Sequence, residues 1–177
     1  MLTLVIGGAA SGKSEWAEEL VRHCQGPRYY VATMQPFGDE ALARIEKHRR
    51  RREADGYTTF ECYTGLANLT FPEPGTVLLD CLGNLLANEM FAPAGAGTGD
   101  AGDAILDGVE RVRSRSKGLI LVTNEVFSGG SHYAGDTDLY MRELGRINCC
   151  IANAADAVCE VCCGLPHYVK GKEYDIF

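Results

Sequence analysis

The stretch Gly7-Gly8-Ala9-Ala10-Ser11-Gly12-Lys13-Ser14 has the spacing Gly-x4-Gly-Lys-Ser, the pattern of a loop that cradles a nucleotide polyphosphate. The residue types have chemical reasons. Gly7, Gly8 and Gly12 let successive backbone N–H groups turn inward toward phosphate oxygens. Lys13 can reach the β- and γ-phosphates, and the Ser14 hydroxyl can ligate Mg²⁺. A chance match in a glycine-rich turn is the competing reading. Context opposes it, because an apolar run, Leu2 to Ile6, precedes the loop and a helical pattern follows it. The start of that helix adds partial positive charge where the phosphates would sit.

Two further groups could share this chemistry. Thr76-Val77-Leu78-Leu79-Asp80 is an apolar run closed by an acid, as expected of a buried parallel strand with a carboxylate at its C-terminal end. Paired with the phosphate loop, Asp80 is the candidate that holds Mg²⁺ directly or through water. The second group is Arg44 to Arg52, where His48 stands among arginines. Cations in a row usually form a solvated helix face. Here the same charges disfavour an imidazolium, so His48 should be neutral near pH 7 and able to attack phosphorus. Arg49, Arg50, Arg51 and Arg52 could hold the phosphoryl oxygens. His48 and Lys13 are therefore the candidate catalytic residues.

The elements that must position these groups alternate in type. Strands are expected at 2–6, 28–33, 57–62, 76–80, 118–123 and 157–163, with a short edge strand at 166–170. Helices are expected after the phosphate loop, at 39–54, at 82–91, around Ile105 to Val112, and along the stripe Tyr140, Leu144, Ile147, Ile151, Ala154. Residues 92–102 read as a flexible surface loop, and 127–136 as a mobile one. This order implies an α/β fold of the P-loop NTPase, RecA-like kind, a doubly wound, mostly parallel sheet flanked by helices. Ligands in such sheets bind beyond the carboxyl ends of the strands. The phosphate loop, Thr33, Asp80 and Asn124-Glu125 all fall there.

Length and composition set bounds. The 177 residues suit a single domain, 1–177. A net charge of −7 argues against nucleic acid as a partner. No apolar run approaches the roughly 20 residues of a membrane span, and no leader is visible, so a cytoplasmic location is the default. The eight cysteines are expected to be reduced. Cys159-x-x-Cys162 invites a metal reading, but residues three apart on a strand face opposite sides; buried packing is the expectation there.

The chain resembles the bifunctional adenosylcobinamide kinase / adenosylcobinamide-phosphate guanylyltransferase family of cobalamin assembly. The resemblance runs nearly end to end. It is carried by the opening GGAASGKS, Tyr30-Val31-Ala32-Thr33, Arg44-Ile45-x-x-His48 with Arg52, and Thr59-x-Glu61. Leu79-Asp80-Cys81-Leu82 with Asn88, Val122-Thr123-Asn124-Glu125-Val126, Gly145-x-x-Asn148, Ala152-x-x-Ala155-Asp156-x-Val158 and Gly164-x-Pro166 continue it. It implies phosphorylation of adenosylcobinamide by ATP or GTP, then transfer of GMP from GTP through a guanylylated histidine, which maps onto His48. It also implies that Thr33, Met34, Gln35 and Glu61 lie around the nucleotide, that Mg²⁺ is required, and that the chain forms a homotrimer. Asn124 and Glu125 have either a catalytic or a sheet-capping role. The other class of reading is a small-molecule P-loop kinase without guanylyltransferase activity.

Three departures stand out. Glu53 follows Arg52 where the family often has Arg-Pro, with Tyr57 near its Trp position. Gly83 replaces a frequent Thr, and Phe127-Ser128-Gly129-Gly130-Ser131 replaces Gly-x-Gly-x-Val-Pro. They bear on the corrinoid side and the lid more than on the nucleotide. His23 and His167 read as structural or surface residues, and His132 is left open.

Overall fold

The structure, a computed structural model, describes residues 1–36, 46, 49, 52, 55–129 and 133–172. Its strands are β1 (Leu2–Gly7), β2 (Arg28–Ala32), β3 (Tyr57–Glu61), β4 (Thr76–Asp80), β5 (Gly118–Asn124), β6 (Ala157–Cys162) and β7 (Leu165–Lys170). They form one sheet in the order β3-β2-β4-β5-β1-β6-β7. Every pairing is parallel except β6 with β7. The described helices are α1 (Lys13–His23), α2 (Leu82–Phe91), α3 (Ala101–Arg115) and α4 (Asp136–Ala154).

Strand alternation sorts the apolar residues into two layers. Leu2, Leu4, Val77, Leu79, Leu119 and Leu121 turn toward α2, α3 and α4, meeting Leu85, Ile105 and Ile147 among others. Val5, Leu78, Ile120 and Val122 turn the other way, toward Ala17, Leu20 and Val21 of α1. The strand that feeds the phosphate loop, β1, thus leads to a helix on one face, while its neighbour β5 leads to a helix on the opposite face. A crevice opens where such connections diverge, at the carboxyl ends of the strands. The register brings polar ends level: Ala32 pairs with both Glu61 and Asp80, and Gly7 pairs with Asn124.

The doubly wound, mostly parallel sheet is the expected fold. Local differences have physical reasons. Residues 92–100 are tied down, not loose. The Glu89 carboxylate, buried on α2, accepts from Gly65 N at 2.7 Å and Ala96 N at 3.0 Å, and its carbonyl accepts from Gly97 N at 2.8 Å. In the last helix the inward stripe ends at Ile151; Ala154 is exposed, and Ala155, just past the helix, is the buried alanine. Of Cys159 and Cys162, expected to pack inside, Cys159 is fully buried but Cys162 is exposed, as is Cys163 after it, since the strand ends and turns there. Helix 39–54 falls almost wholly outside the described residues, as does His132. Among the described residues, no helix is long and apolar enough to cross a membrane.

Candidate active site

The phosphate loop is shaped by backbone that side chains would obstruct. Gly12 has φ +89°, in the left-handed region, and caps α1 by accepting from Trp16 N at 2.9 Å. A Cβ there would lie 3.0 Å from Gly164 Cα. A Cβ on Gly7 would lie 2.7 Å from the Val161 carbonyl oxygen and would collide with Ser11 Oγ. The loop is also bonded to the β6–β7 turn, where Gly164 N donates to Ser11 O at 2.8 Å. Lys13 Nζ is folded back on its own loop, donating to Gly8 O at 3.0 Å. That contact holds the ammonium at the loop, facing the cavity that Lys13 also lines.

Beside the loop lies a cavity of about 300 Å³, lined by Ala9, Ala10, Lys13 and Ser14 of the loop and by Asp80 and Arg52 across from them. Asp80 is positioned by Tyr30, whose hydroxyl donates to Oδ2 at 3.0 Å. Burial, reinforced by the Asp80 charge, pushes the Tyr30 phenol well above the ordinary tyrosine range. The hydroxyl therefore remains a donor at any working pH. The Arg52 guanidinium stacks on the same ring, 3.7 Å from its centroid. Arg52 is buried, and its Nε has no hydrogen-bond partner among the described residues. A buried guanidinium without a full set of acceptors, facing a cavity, suits an incoming anion.

Backbone clamps fix the rest. Thr33 Oγ1 donates to Cys81 O and accepts from Cys81 N, each at 2.8 Å, and Asn88 Nδ2 donates to Thr33 O at 2.8 Å. Thr33 is thus fully buried and locks the residue after Asp80. Burial and the Asp80 charge push the Cys81 thiol up to about 11. At the far wall Tyr63 OH donates to Glu61 Oε2 at 3.0 Å, and both residues line the cavity. Asn124 and Glu125 divide their work. Asn124 lines the cavity. The Glu125 carboxylate accepts from Phe127 N at 2.8 Å and Ser128 N at 3.0 Å, capping the loop after β5. A Cβ on Gly83 would come within 2.8 Å of Asn124 Nδ2 and 2.9 Å of Tyr140 OH. The glycine therefore makes room for Tyr140 to donate to its carbonyl at 3.2 Å.

The expected site residues sort as follows. Ala9, Ala10, Lys13, Ser14, Met34, Arg52, Glu61 and Asp80 share the cavity. Gly7, Gly8, Ser11 and Gly12 form the loop backbone behind it. Thr33 stands behind the wall, and Gln35 is not among the lining residues. Arg49 is exposed. His48, Arg50 and Arg51 lie outside the described residues. Tyr30, Tyr63 and Asn84 also line the cavity, and none was marked as a site residue from the sequence. Strand alternation could have found Tyr30, which lies two residues before Ala32 on the face toward α1.

The family described as cobinamide kinase / cobinamide phosphate guanyltransferase matches residues 3–169. The bifunctional adenosylcobalamin biosynthesis protein CobU of Salmonella typhimurium is 34% identical over 188 residues, covering 96% of this chain and 100% of its own length. The bifunctional adenosylcobalamin biosynthesis protein CobP of Pseudomonas aeruginosa is 33% identical, covering 97% of this chain and 99% of its own. The CobU protein of Escherichia coli is 31% identical over 96% of this chain and all of its own length.

Proposed function

This chain belongs to the cobinamide kinase / cobinamide phosphate guanyltransferase family, and from that premise we propose that it performs two successive transfers in cobalamin assembly. In the first, the hydroxyl of the aminopropanol arm of adenosylcobinamide attacks the γ-phosphorus of ATP or GTP. In the second, His48 attacks the α-phosphorus of GTP and pyrophosphate leaves. The cobinamide phosphate then takes GMP from the imidazole, giving adenosylcobinamide-GDP. The observation that carries the reading is the single cavity onto which Lys13, Ser14, Asp80 and Arg52 converge.

The chain's own groups have distinct tasks in this scheme. The loop N–H groups and Lys13 bind the β- and γ-phosphates, with the ammonium exchanging Gly8 O for phosphate oxygen. Arg52, held on Tyr30, neutralises charge that develops on transferred phosphoryl oxygens. Arg49, Arg50 and Arg51 serve the same end around His48, and Met34, Gln35 and Glu61 surround the nucleoside, with Thr33 behind them. Ser14 and Asp80 fit Mg²⁺. Both face the cavity, both offer hard oxygen donors, and among the described residues the Asp80 carboxylate is engaged through Oδ2 alone. A bound cation would supply charge neutralisation to the triphosphate. A homotrimer is the assembly that the family resemblance suggests, and the cytoplasm, the default read from the sequence, is the setting we propose for it.

The test is a pair of assays on each of two variants. Lys13→Ala should abolish phosphorylation of adenosylcobinamide from γ-labelled ATP or GTP. His48→Ala should leave that step largely intact and abolish formation of adenosylcobinamide-GDP. If His48→Ala still produced the GDP derivative at the wild-type rate, His48 would not carry GMP and the basic segment would be a phosphate clamp only; if wild type itself produced none, the chain would be a kinase alone.

A further inference from the structure

Cys162 and Cys163 are adjacent, exposed and reduced, and their sulfurs lie 3.9 Å apart. They stand on the β6–β7 hairpin, whose pairing of Cys162 with Leu165 leaves a two-residue loop, Cys163-Gly164. Both loop residues have positive φ, +53° and +76°, as a tight hairpin turn of this hand requires. Asparagine is the usual residue at the first of these positions; a cysteine there makes the turn easier to displace. The same turn is bonded to the phosphate loop through Gly164 N and Ser11 O, 2.8 Å apart. Neither thiol has a part in the transfers described above.

We propose that Cys162 and Cys163 form a vicinal-dithiol site for trivalent arsenic species, and that its occupancy opposes nucleotide binding at the adjoining phosphate loop. The coupling rests on the reading of that loop as the nucleotide site; the dithiol site itself does not. Geometry favours a bridging atom over a disulfide. Neighbouring Cα atoms stand about 3.8 Å apart, short of the roughly 4.4 Å minimum usual for a disulfide. A bent S–As–S bridge spans two sulfurs already in contact and closes a larger, less strained ring. The hydrogen bond with Cys163 holds the Cys162 thiol above its ordinary value, so Cys162 carries its proton at neutral pH. The step is a condensation without redox change. An arsonous species R–As(OH)₂ forms two As–S bonds and loses two As–O bonds, and the two thiol protons leave with the hydroxides as water. Fixing both sulfurs on one arsenic, closer than their present 3.9 Å, pulls on Cys163 and through it on Gly164 N, the donor to Ser11 O. The phosphate loop loses a support that GTP needs, and by linkage GTP resists the arsenical to the same degree.

The experiment uses the full chain and phenylarsine oxide, read by intact mass and by loss of free thiols. Wild type should take one arsenical per chain at the cost of two thiols. Cys162→Ser and Cys163→Asn should each weaken capture about a hundredfold through loss of the second arm. Cys163→Asn keeps a residue suited to the turn, so it separates a lost ligand from a lost fold. The other exposed neighbours, Cys149 and Cys150 on α4, serve as control; Cys149→Ser with Cys150→Ser should leave capture unchanged. Mg²⁺-GTP affinity should fall about fivefold or more in the adduct and recover with 2,3-dimercaptopropanol. Equal capture by the Cys162→Ser variant, or none by wild type, would overturn the site. Unchanged GTP affinity in the adduct would overturn the coupling alone. Failure of the untreated protein to bind GTP would remove the nucleotide reading, and the coupling with it, whatever the arsenical does.

Discussion

The Tyr30 hydroxyl donates to Asp80 Oδ2 at 3.0 Å, so the acid at the end of β4 is aimed by a tyrosine from the neighbouring strand. The Arg52 guanidinium rests on the same ring. One side chain thereby orients both an acid and a cation of the cavity. Tyr30→Phe removes a hydrogen bond to a charged group, about 2 kcal/mol, and keeps the ring. The expected outcome is a fall of about thirtyfold in kcat/KM for the kinase step, with a raised Mg²⁺ requirement. Tyr30→Ala also removes the seat of Arg52 and should cost more. Kinase assays over a Mg²⁺ series check both; equal losses in the two variants would show that the ring does not matter.

The glycines of the phosphate loop are not equivalent. A Cβ at Gly8 meets nothing within 4 Å, whereas at Gly7 it meets Val161 O at 2.7 Å, and Gly12 combines φ +89° with an approach of 3.0 Å to Gly164. Gly8→Ala should therefore leave stability within about 0.5 kcal/mol of wild type. Gly7→Ala and Gly12→Ala should destabilise by about 1–3 kcal/mol and weaken GTP binding. Urea denaturation and nucleotide titration of the three variants make the comparison.

The alternation of Leu2 to Ile6, Thr76 to Leu79 and Gly118 to Val122 with helical stripes gave the sheet and its two layers, because each strand is buried on both faces and its helix spacing is regular. Lys13 and Ser14 were expected at the cavity from the phosphate-loop spacing, Asp80 from the acid that closes an apolar run, and Glu61 from the family resemblance, and all four line it. Tyr30 was not. An aromatic residue in a strand reads as core, and only the pairing of β2 with β4 brings it to Asp80. Thr33 was expected around the nucleotide from the family resemblance, whereas its burial against Cys81 comes from a tertiary contact between residues 48 apart. Cys162 was expected to pack inside because a strand pattern does not reveal where the hairpin turns outward.

Glu89 is a buried carboxylate whose two oxygens accept from Gly65 N and Ala96 N. Glu89→Ala strands two backbone donors and should cost about 3 kcal/mol. Glu89→Gln keeps one acceptor oxygen and should cost less. The order Glu, Gln, Ala in denaturation midpoint is the expected result, and Ala equal to wild type would contradict it.

Stability should fall in mildly alkaline solution. Burial first, then the charges of Asp80 and Glu89 respectively, push the Cys81 and Cys62 thiols up to about 11. The folded value lies above the unfolded one of about 8.5, so folding favours the protonated thiol. That contribution is complete below the unfolded value and is lost as pH rises through the folded one, between about 9 and about 11. Unfolding free energies across that range should decline, and Cys62→Ala with Cys81→Ala should flatten the decline.

On this reading one chain first passes on a terminal phosphoryl group and then carries GMP on His48. Incubation with α-labelled GTP and Mg²⁺, followed by denaturation, tests it most directly. The expected result is a base-stable, acid-labile label on wild type and on Cys163→Asn, and none on His48→Ala. No label on wild type, or equal label on His48→Ala, would contradict the account.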